Sequence, residues 1–181
     1  MEELFTEYLE AGEEEIWLDE IMTVYGQDIL QLVYSYVKNL TVAEDLTQEI
    51  FVKYYKALPT YKKQSKLRTW LWKIAINHCK DYLKSWYHRN IEYTVDERVE
   101  PQATVSVEET ILKLDKDQML SHTVMNLPIK YREVIYLFYF QELSIKEISE
   151  MTGISQGTIK TRMRRAKAML KEKLEGDNDG R

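Results

Sequence analysis

The stretch Ile154 to Leu174, ISQGTIKTRMRRAKAMLKEKL, leaves the chain little choice of local structure. Its apolar residues Ile159, Met163, Ala166, Leu170 and Leu174 recur at three- and four-residue steps, the period of one buried helix face. Between Ser155 and Lys173 it also carries seven bases (Lys160, Arg162, Arg164, Arg165, Lys167, Lys171 and Lys173) against one acid, Glu172. The whole chain has a formal charge of −5, so this is a local reversal of sign. A helix with a packed back and a cationic front suits a surface laid against nucleic-acid phosphates. For a charge run taken alone a solvated surface helix is the commoner outcome, and the residues before it decide between the two.

Those residues read SIKEISEMTGISQGTIKTR. Ile145, Ile148 and Met151 mark a short helix, Gly153 a tight turn, and Ile154 and Ile159 the packing residues of a following helix, which is the spacing of a helix-turn-helix. Ser149 is small enough for two helices to cross closely, and Ser155 is a suitable N-cap for the second. Joined to the basic front, the pattern makes DNA binding the leading reading. Upstream, Ile111 to Asn126 is expected to be helical, Leu127 and Pro128 to turn, and Tyr131 to Phe140 to form an apolar helix.

In the first half, a helical pattern runs from Ile21 through Tyr25, Ile29, Leu32, Val33, Tyr36 and Val37 and stops near Asn39. Thr41 and Glu44 have the T-x-x-E spacing of a capping box and predict a helix from Thr41 to Leu58, ended by Pro59. Ala43, Leu46, Ile50, Tyr54 and Ala57 form its buried stripe, while Asp45, Gln48 and Glu49 share another face. That polar triplet is either solvated or presented to basic residues of a partner protein. A basic loop, Tyr61 to Lys66, then leads into Leu67 to Arg89. There Arg68, Lys73, Lys80, Lys84 and Arg89 are interleaved with Trp70, Trp72, Tyr82, Trp86 and Tyr87. Rings beside cations suit unpaired bases, which stack on aromatic faces while the backbone follows the charge. The plainer alternative makes Trp70, Leu71 and Ile74 simple core. Asn77 lies on the polar side, where an amide can pair with a base edge.

Charge falls in blocks. Residues 1–20 hold nine acids and no base, 61–90 eight bases and one acid, and 91–118 eight acids and three bases. Two cationic surfaces separated by anionic segments fit two sites on one polyanion, with an acidic remainder that discourages indiscriminate binding. Residues 91–110 lose periodicity, include Pro101 and read as a linker. Twenty extended residues reach roughly 66 Å, against about 34 Å for one turn of duplex. With six Gly, three Pro and no period-two runs, the fold class is all-α: two small helical domains joined by a flexible linker, the C-terminal one a helix-turn-helix. The single Cys79 excludes an internal disulfide, and His78, His88 and His122 lack metal-ligand spacing. There is no nucleophile and base pairing and no phosphate-binding Gly loop, so neither an enzyme nor a cofactor is expected. The acidic N-terminus lacks the pattern of a signal peptide and no run is long enough to insert in a membrane, which points to a cytoplasmic protein.

Three segments together resemble the bacterial extracytoplasmic-function (ECF) sigma factors, two-domain initiation subunits of RNA polymerase. They are AEDLTQEIF at Ala43 to Phe51, the segment Leu67 to Arg89, and LPIKYREVIYLFYFQELSIKEISEMTGISQGTIKTRMRRAKAML. The match runs in the family's order over about 21–175, with Leu67 where the family often has Phe and Ser149 where Ala is usual. The resemblance implies an acidic extension at 1–20, region 2 at 21–90, a linker at 91–110, region 4 at 111–175 and a tail at 176–181. It implies that Asp45, Gln48, Glu49 and Phe51 meet the clamp helices of core polymerase. Lys62, Lys63, Gln64, Ser65 and Lys66 with Asn77 would capture a base flipped from the minus-ten element, while Arg68, Lys73, Lys80 and Lys84 hold phosphates. Ser155, Gln156, Thr158, Lys160, Thr161, Arg162, Arg164 and Arg165 would address the minus-thirty-five duplex. Partners so implied are core RNA polymerase, promoter DNA and an anti-sigma protein, often membrane-anchored, and the work is promoter selection and melting, in a stress or envelope response. A free-standing helix-turn-helix regulator is the alternative, but it leaves residues 41–89 idle. A helical sequestering protein whose basic faces meet acidic proteins is a second.

Overall fold

A computed structural model describes residues 14–91 and 118–178, and all regular structure among them is helical. The linker expected at 91–110 and the first turns of the helix expected from Ile111 lie outside the described residues, apart from Ile91 itself. So do residues 1–13 and 179–181. The chain divides into two compact units at Gln102 and Ala103.

The first unit is built from α1 (Glu14–Val37), α2 (Leu40–Ala57), a 3-10 turn (Leu58–Thr60) and α3 (Leu67–Ile91). Helix α1 begins at Glu14, ahead of the start expected at Ile21, because Trp17 is fully buried and meets the Trp70 ring edge-on at 6.5 Å. Helix α2 is capped by Asn39 rather than Thr41. Asn39 has an extended backbone, and its Oδ1 accepts from the Val42 N–H at 3.1 Å, satisfying a donor that the first turn leaves open. Thr41 lies two residues past the cap position and is exposed. Pro59 falls in the 3-10 turn, as its missing N–H requires. The core joins Ile21, Ile29, Leu32 and Val33 of α1 to Ala43, Ile50 and Tyr54 of α2 and to Leu71, Trp72, Ala75, Ile76 and Cys79 of α3, all buried. Tyr54 is the polar exception. Its hydroxyl donates to the Leu71 carbonyl at 2.9 Å, and burial pushes the phenol well above its ordinary pKa, so it remains a neutral donor.

The second unit comprises α4 (Gln118–Met125), α5 (Ile129–Ile135), a π turn (Tyr136–Phe140) that continues α5, α6 (Ile145–Thr152) and α7 (Gln156–Asn178). The apolar helix expected to Phe140 is therefore α-helical only to Ile135. Its last turn widens, with the Gln141 N–H reaching the Tyr136 carbonyl. Val124, Leu127, Ile135 and Ala166 form a buried cluster against which Tyr131, Phe140, Met169 and Leu170 pack. Helix α6 opens with a complete capping box: the Ser144 hydroxyl accepts from the Glu147 N–H at 3.2 Å, and Glu147 accepts from the Ser144 N–H at 2.9 Å. It closes on Gly153 at φ 73°, a left-handed cap at the tight turn expected there.

A buried cation joins α4 to α5. Arg132, 1% exposed, donates to the Met125 carbonyl at 2.7 Å and to the Leu127 carbonyl at 3.0 Å, closing the end of α4. Arg132→Leu keeps an apolar stem but leaves both carbonyls without this donor. It is expected to destabilise the second unit by about 2–4 kcal/mol, read by thermal or urea unfolding; an unchanged transition would show that the guanidinium bonds are dispensable.

Candidate nucleic-acid and partner interfaces

Helix α3 buries one side and exposes the other. At about 100° per residue, Trp70, Lys73, Asn77, Lys80 and Lys84 fall within an arc of roughly 80°. Lys73, Asn77 and Lys84 are exposed, and Trp70 and Lys80 half-buried. The stripe places an amide between cations, the arrangement expected from the sequence. The basic loop meets its upper end. Lys62, Lys63, Gln64, Ser65 and Lys66 are all exposed, and the loop is pinned by Tyr61, whose hydroxyl donates to the Ser65 carbonyl at 2.9 Å and whose ring lies 5.0 Å from that of Trp70. Lys63 holds φ 57°, a left-handed turn that a non-glycine residue adopts only where its surroundings impose it.

Not every expected member joins this stripe. The Arg68 guanidinium lies over the Trp72 ring at 4.9 Å on the other side of α3, where Tyr25 also packs edge-on. Arg68 thus belongs to the helix packing, and Trp72, fully buried, cannot offer a stacking face. Trp86 and Tyr87 pack on one another at 5.4 Å farther along α3.

On α2, Asp45, Gln48 and Glu49 are exposed on the side opposite the core. Phe51 is not with them. It is 6% exposed and packs edge-on against Tyr54, inside the unit. Between α2 and α3 runs a groove of about 520 Å³, bordered by Asp45 and Glu49.

In the second unit, Ile159, Met163 and Ala166 bury the back of α7, as the periodicity predicts. Gln156, Thr158, Lys160, Thr161, Arg164 and Arg165 are exposed on its front. Ser155 acts as the N-cap: its hydroxyl accepts from the Thr158 N–H at 3.2 Å and meets the Thr158 hydroxyl at 2.9 Å. Arg162 departs from expectation. It points to the flank of α7 and reaches Glu133 of α5 at 3.6 Å, with Glu133 itself 5% exposed. A buried carboxylate needs a cation, and Arg162 is committed to it.

Aromatic rings back the cationic front, and the sequence reading did not single them out. The Arg165 guanidinium beside Tyr131, with Lys130, holds the phenol below its ordinary pKa, and the Lys130 ammonium lies 5.0 Å from the ring centre. Lys167 stands over Tyr139 at 5.5 Å. The available signal was Tyr131 at the head of an apolar helix, but only the packing of α5 against α7 brings it to Arg165.

No helix among the described residues is long and apolar enough to cross a membrane, and no group of three or more His, Cys, Asp or Glu among them could hold a metal.

Two family profiles match the chain: Sigma-70 region 2 over residues 21–87 and Sigma-70, region 4 over residues 117–170. The ECF RNA polymerase sigma factor SigW of Bacillus subtilis (strain 168) is 31% identical over 174 residues, covering 92% of each chain. SigM, an ECF RNA polymerase sigma factor of the same organism, is 30% identical over 154 residues, 85% of this chain and 93% of the relative. Among solved structures, the fold is similar to the sigma factor RpoE in complex with the anti-sigma factor NepR from Bartonella quintana, with a TM-score of 0.70, 24% identity and coverage of 87% and 95%. It is also similar to CnrH in complex with the cytosolic domain of CnrY, with a TM-score of 0.62, 21% identity and 90% coverage of both.

The geometry separates two arginine classes on α7. Replacing Arg164 and Arg165 together with Ala is expected to weaken duplex binding and to shallow its salt dependence by up to about two units of log K against log salt. Arg162→Ala is expected to lower the melting temperature of the second unit instead, with little change in that slope; a slope change equal to that of Arg164→Ala would place Arg162 on the DNA.

Proposed function

The chain belongs to the ECF family of RNA polymerase sigma factors, non-enzymatic subunits that direct the polymerase to promoters, and from that premise we propose how its surfaces divide the work. The observation that carries the division is the stripe of Lys73, Asn77, Lys80 and Lys84 on α3, with the loop Lys62 to Lys66 at its head and Asp45, Gln48 and Glu49 exposed on the neighbouring helix. One helix faces nucleic acid while the other faces protein.

On this reading the acidic face of α2 docks on basic residues of the polymerase clamp. Asn77 and the loop capture a base that leaves the stack at the minus-ten element, and Lys73, Lys80 and Lys84 follow the strand's phosphates. Trp70 supports the loop through its ring contact with Tyr61, two helical turns from Asn77 on the same face. The front of α7, from Gln156 to Arg165 without Arg162, anchors the minus-thirty-five duplex in its major groove. Residues 21–90 act as region 2, 91–110 as a linker and 111–175 as region 4.

Both structural neighbours are held by other proteins, one by an anti-sigma factor and one by the cytosolic domain of CnrY. An anti-sigma partner that withholds this protein from polymerase until a stress or envelope signal arrives fits that precedent. The site of action is the cytoplasm, where core polymerase is.

In-vitro transcription from a promoter library with core polymerase tests the whole reading: specific transcripts above core alone are expected, and their absence would reject it. Asp45→Arg with Glu49→Arg should weaken polymerase binding while leaving duplex binding by the second unit intact. Asn77→Ala should impair promoter opening, followed by permanganate reactivity of unpaired thymines, more than polymerase binding. Equal loss of both would contradict its assignment to the base.

A further inference from the structure

The groove between α2 and α3 holds an imidazole, that of His78, to which none of these roles gives a task. His78 lies on α3 about 100° around the helix from Asn77, with a side chain only 11% exposed. Its Nε2 lies 2.8 Å from Oε2 of Glu49, whose own side chain is 61% exposed. The remaining charged or titratable groups along the groove are Asp45 and Lys53 of α2 and Asp81 and Tyr82 of α3.

A glutamate on an exposed helix face samples several rotamers, and a partner that binds it must freeze them. Glu49 is spared part of that loss. The imidazole, fixed by packing, donates from Nε2 to one carboxylate oxygen, and the carboxylate stays at the groove rim with much of its surface open. The contact joins residues 29 positions apart, so it also ties the helix that faces protein to the one that carries Asn77.

We infer that His78 is a positioning residue for polymerase binding: it presents the Glu49 carboxylate, beside Asp45, in the rotamer that a cationic side chain of the partner meets. The inference rests on the assignment of Asp45, Gln48 and Glu49 to the polymerase face. A charged imidazolium would do the opposite, since it would compete with the partner's cation for Glu49 and its removal would tighten binding.

The test is the affinity of the full-length chain for core RNA polymerase, measured for Glu49→Gln, His78→Ala, His78→Phe, His78→Gln and the double variant Glu49→Gln with His78→Ala. Glu49→Gln is expected to weaken binding. His78→Ala should weaken it by about three- to tenfold, and so should His78→Phe, which keeps a buried ring without the donor and is read wherever His78→Ala unsettles the fold. His78→Gln, whose amide can donate at similar reach, should restore most of the affinity. The double variant should lose no more than Glu49→Gln alone. Unchanged or tighter binding by the His78 variants, additive losses, or failure of His78→Gln to restore affinity would overturn the positioning role. No loss with Glu49→Gln would overturn the partner-face assignment, and the inference with it.

Discussion

The working surface of the first unit depends on the contacts of one ring. Trp70 touches Trp17 of α1, Tyr54 of α2 and Tyr61 of the basic loop, with centroid separations of 6.5, 6.2 and 5.0 Å. It also lies on the arc of α3 that carries Lys73 and Asn77. Aromatic pairs at such separations add to the stabilisation from buried area, and here they join three elements that share no backbone hydrogen-bond ladder. The consequence is positional. A loop with four cations or amides in five residues would otherwise spend its freedom in solvent, and Tyr61 instead closes it onto the head of α3. The early start of α1 at Glu14 has the same cause, because Trp17 has a place to be buried only where Trp70 is.

The second unit solves a different problem, that of keeping charge inside. Arg132 and Glu133 are consecutive and both buried, an arrangement that is unfavourable unless each finds its own partner. Arg132 turns to the carbonyls that end α4, and Glu133 turns to Arg162 on α7. The two contacts fix α5 against its neighbours on both sides and set the rotation of α7 about its axis. That rotation decides which bases of α7 face outward. The cationic front is thus partly defined by the one arginine withdrawn from it.

Much of this was legible in the sequence, and the failures share a cause. Periodicity located the buried faces of α1, α2 and α7, and turn chemistry located Gly153 and Ser155, because those signals are local; on α3, of the core reading Trp70, Leu71 and Ile74, only Leu71 is buried. The capping box of Ser144 and Glu147 was equally readable from its S-x-x-E spacing. The T-x-x-E at Thr41 had the same form, but Asn39 two residues earlier has the extended backbone and the short amide that reach the open donor first. Arg68, Arg162 and Phe51 could not be placed by spacing alone. Each sits at the edge of a helix face, where a ring or a carboxylate on another helix decides whether it turns inward. Tyr131 and His78 were missed for the converse reason: their partners, Arg165 and Glu49, lie 34 and 29 residues away along the chain.

The charge distribution then explains why a protein with two cationic faces need not bind DNA at large. Non-specific affinity grows with the number of phosphates neutralised and falls steeply with salt. With Arg68 turned onto Trp72 and Arg162 onto Glu133, each face keeps a short row of cations, in a chain of net charge −5. Either face alone offers few phosphate contacts, and the acidic remainder repels the rest of the duplex. Joining two weak faces raises their combined affinity only when both can engage together, through the effective concentration that the connection provides. Under the proposed assignment, a protein partner bound to α2 would supply that condition. On that assignment the acidic face of α2 would control when the basic faces count, and the contact between Glu49 and His78 joins the helices that carry the two kinds of surface.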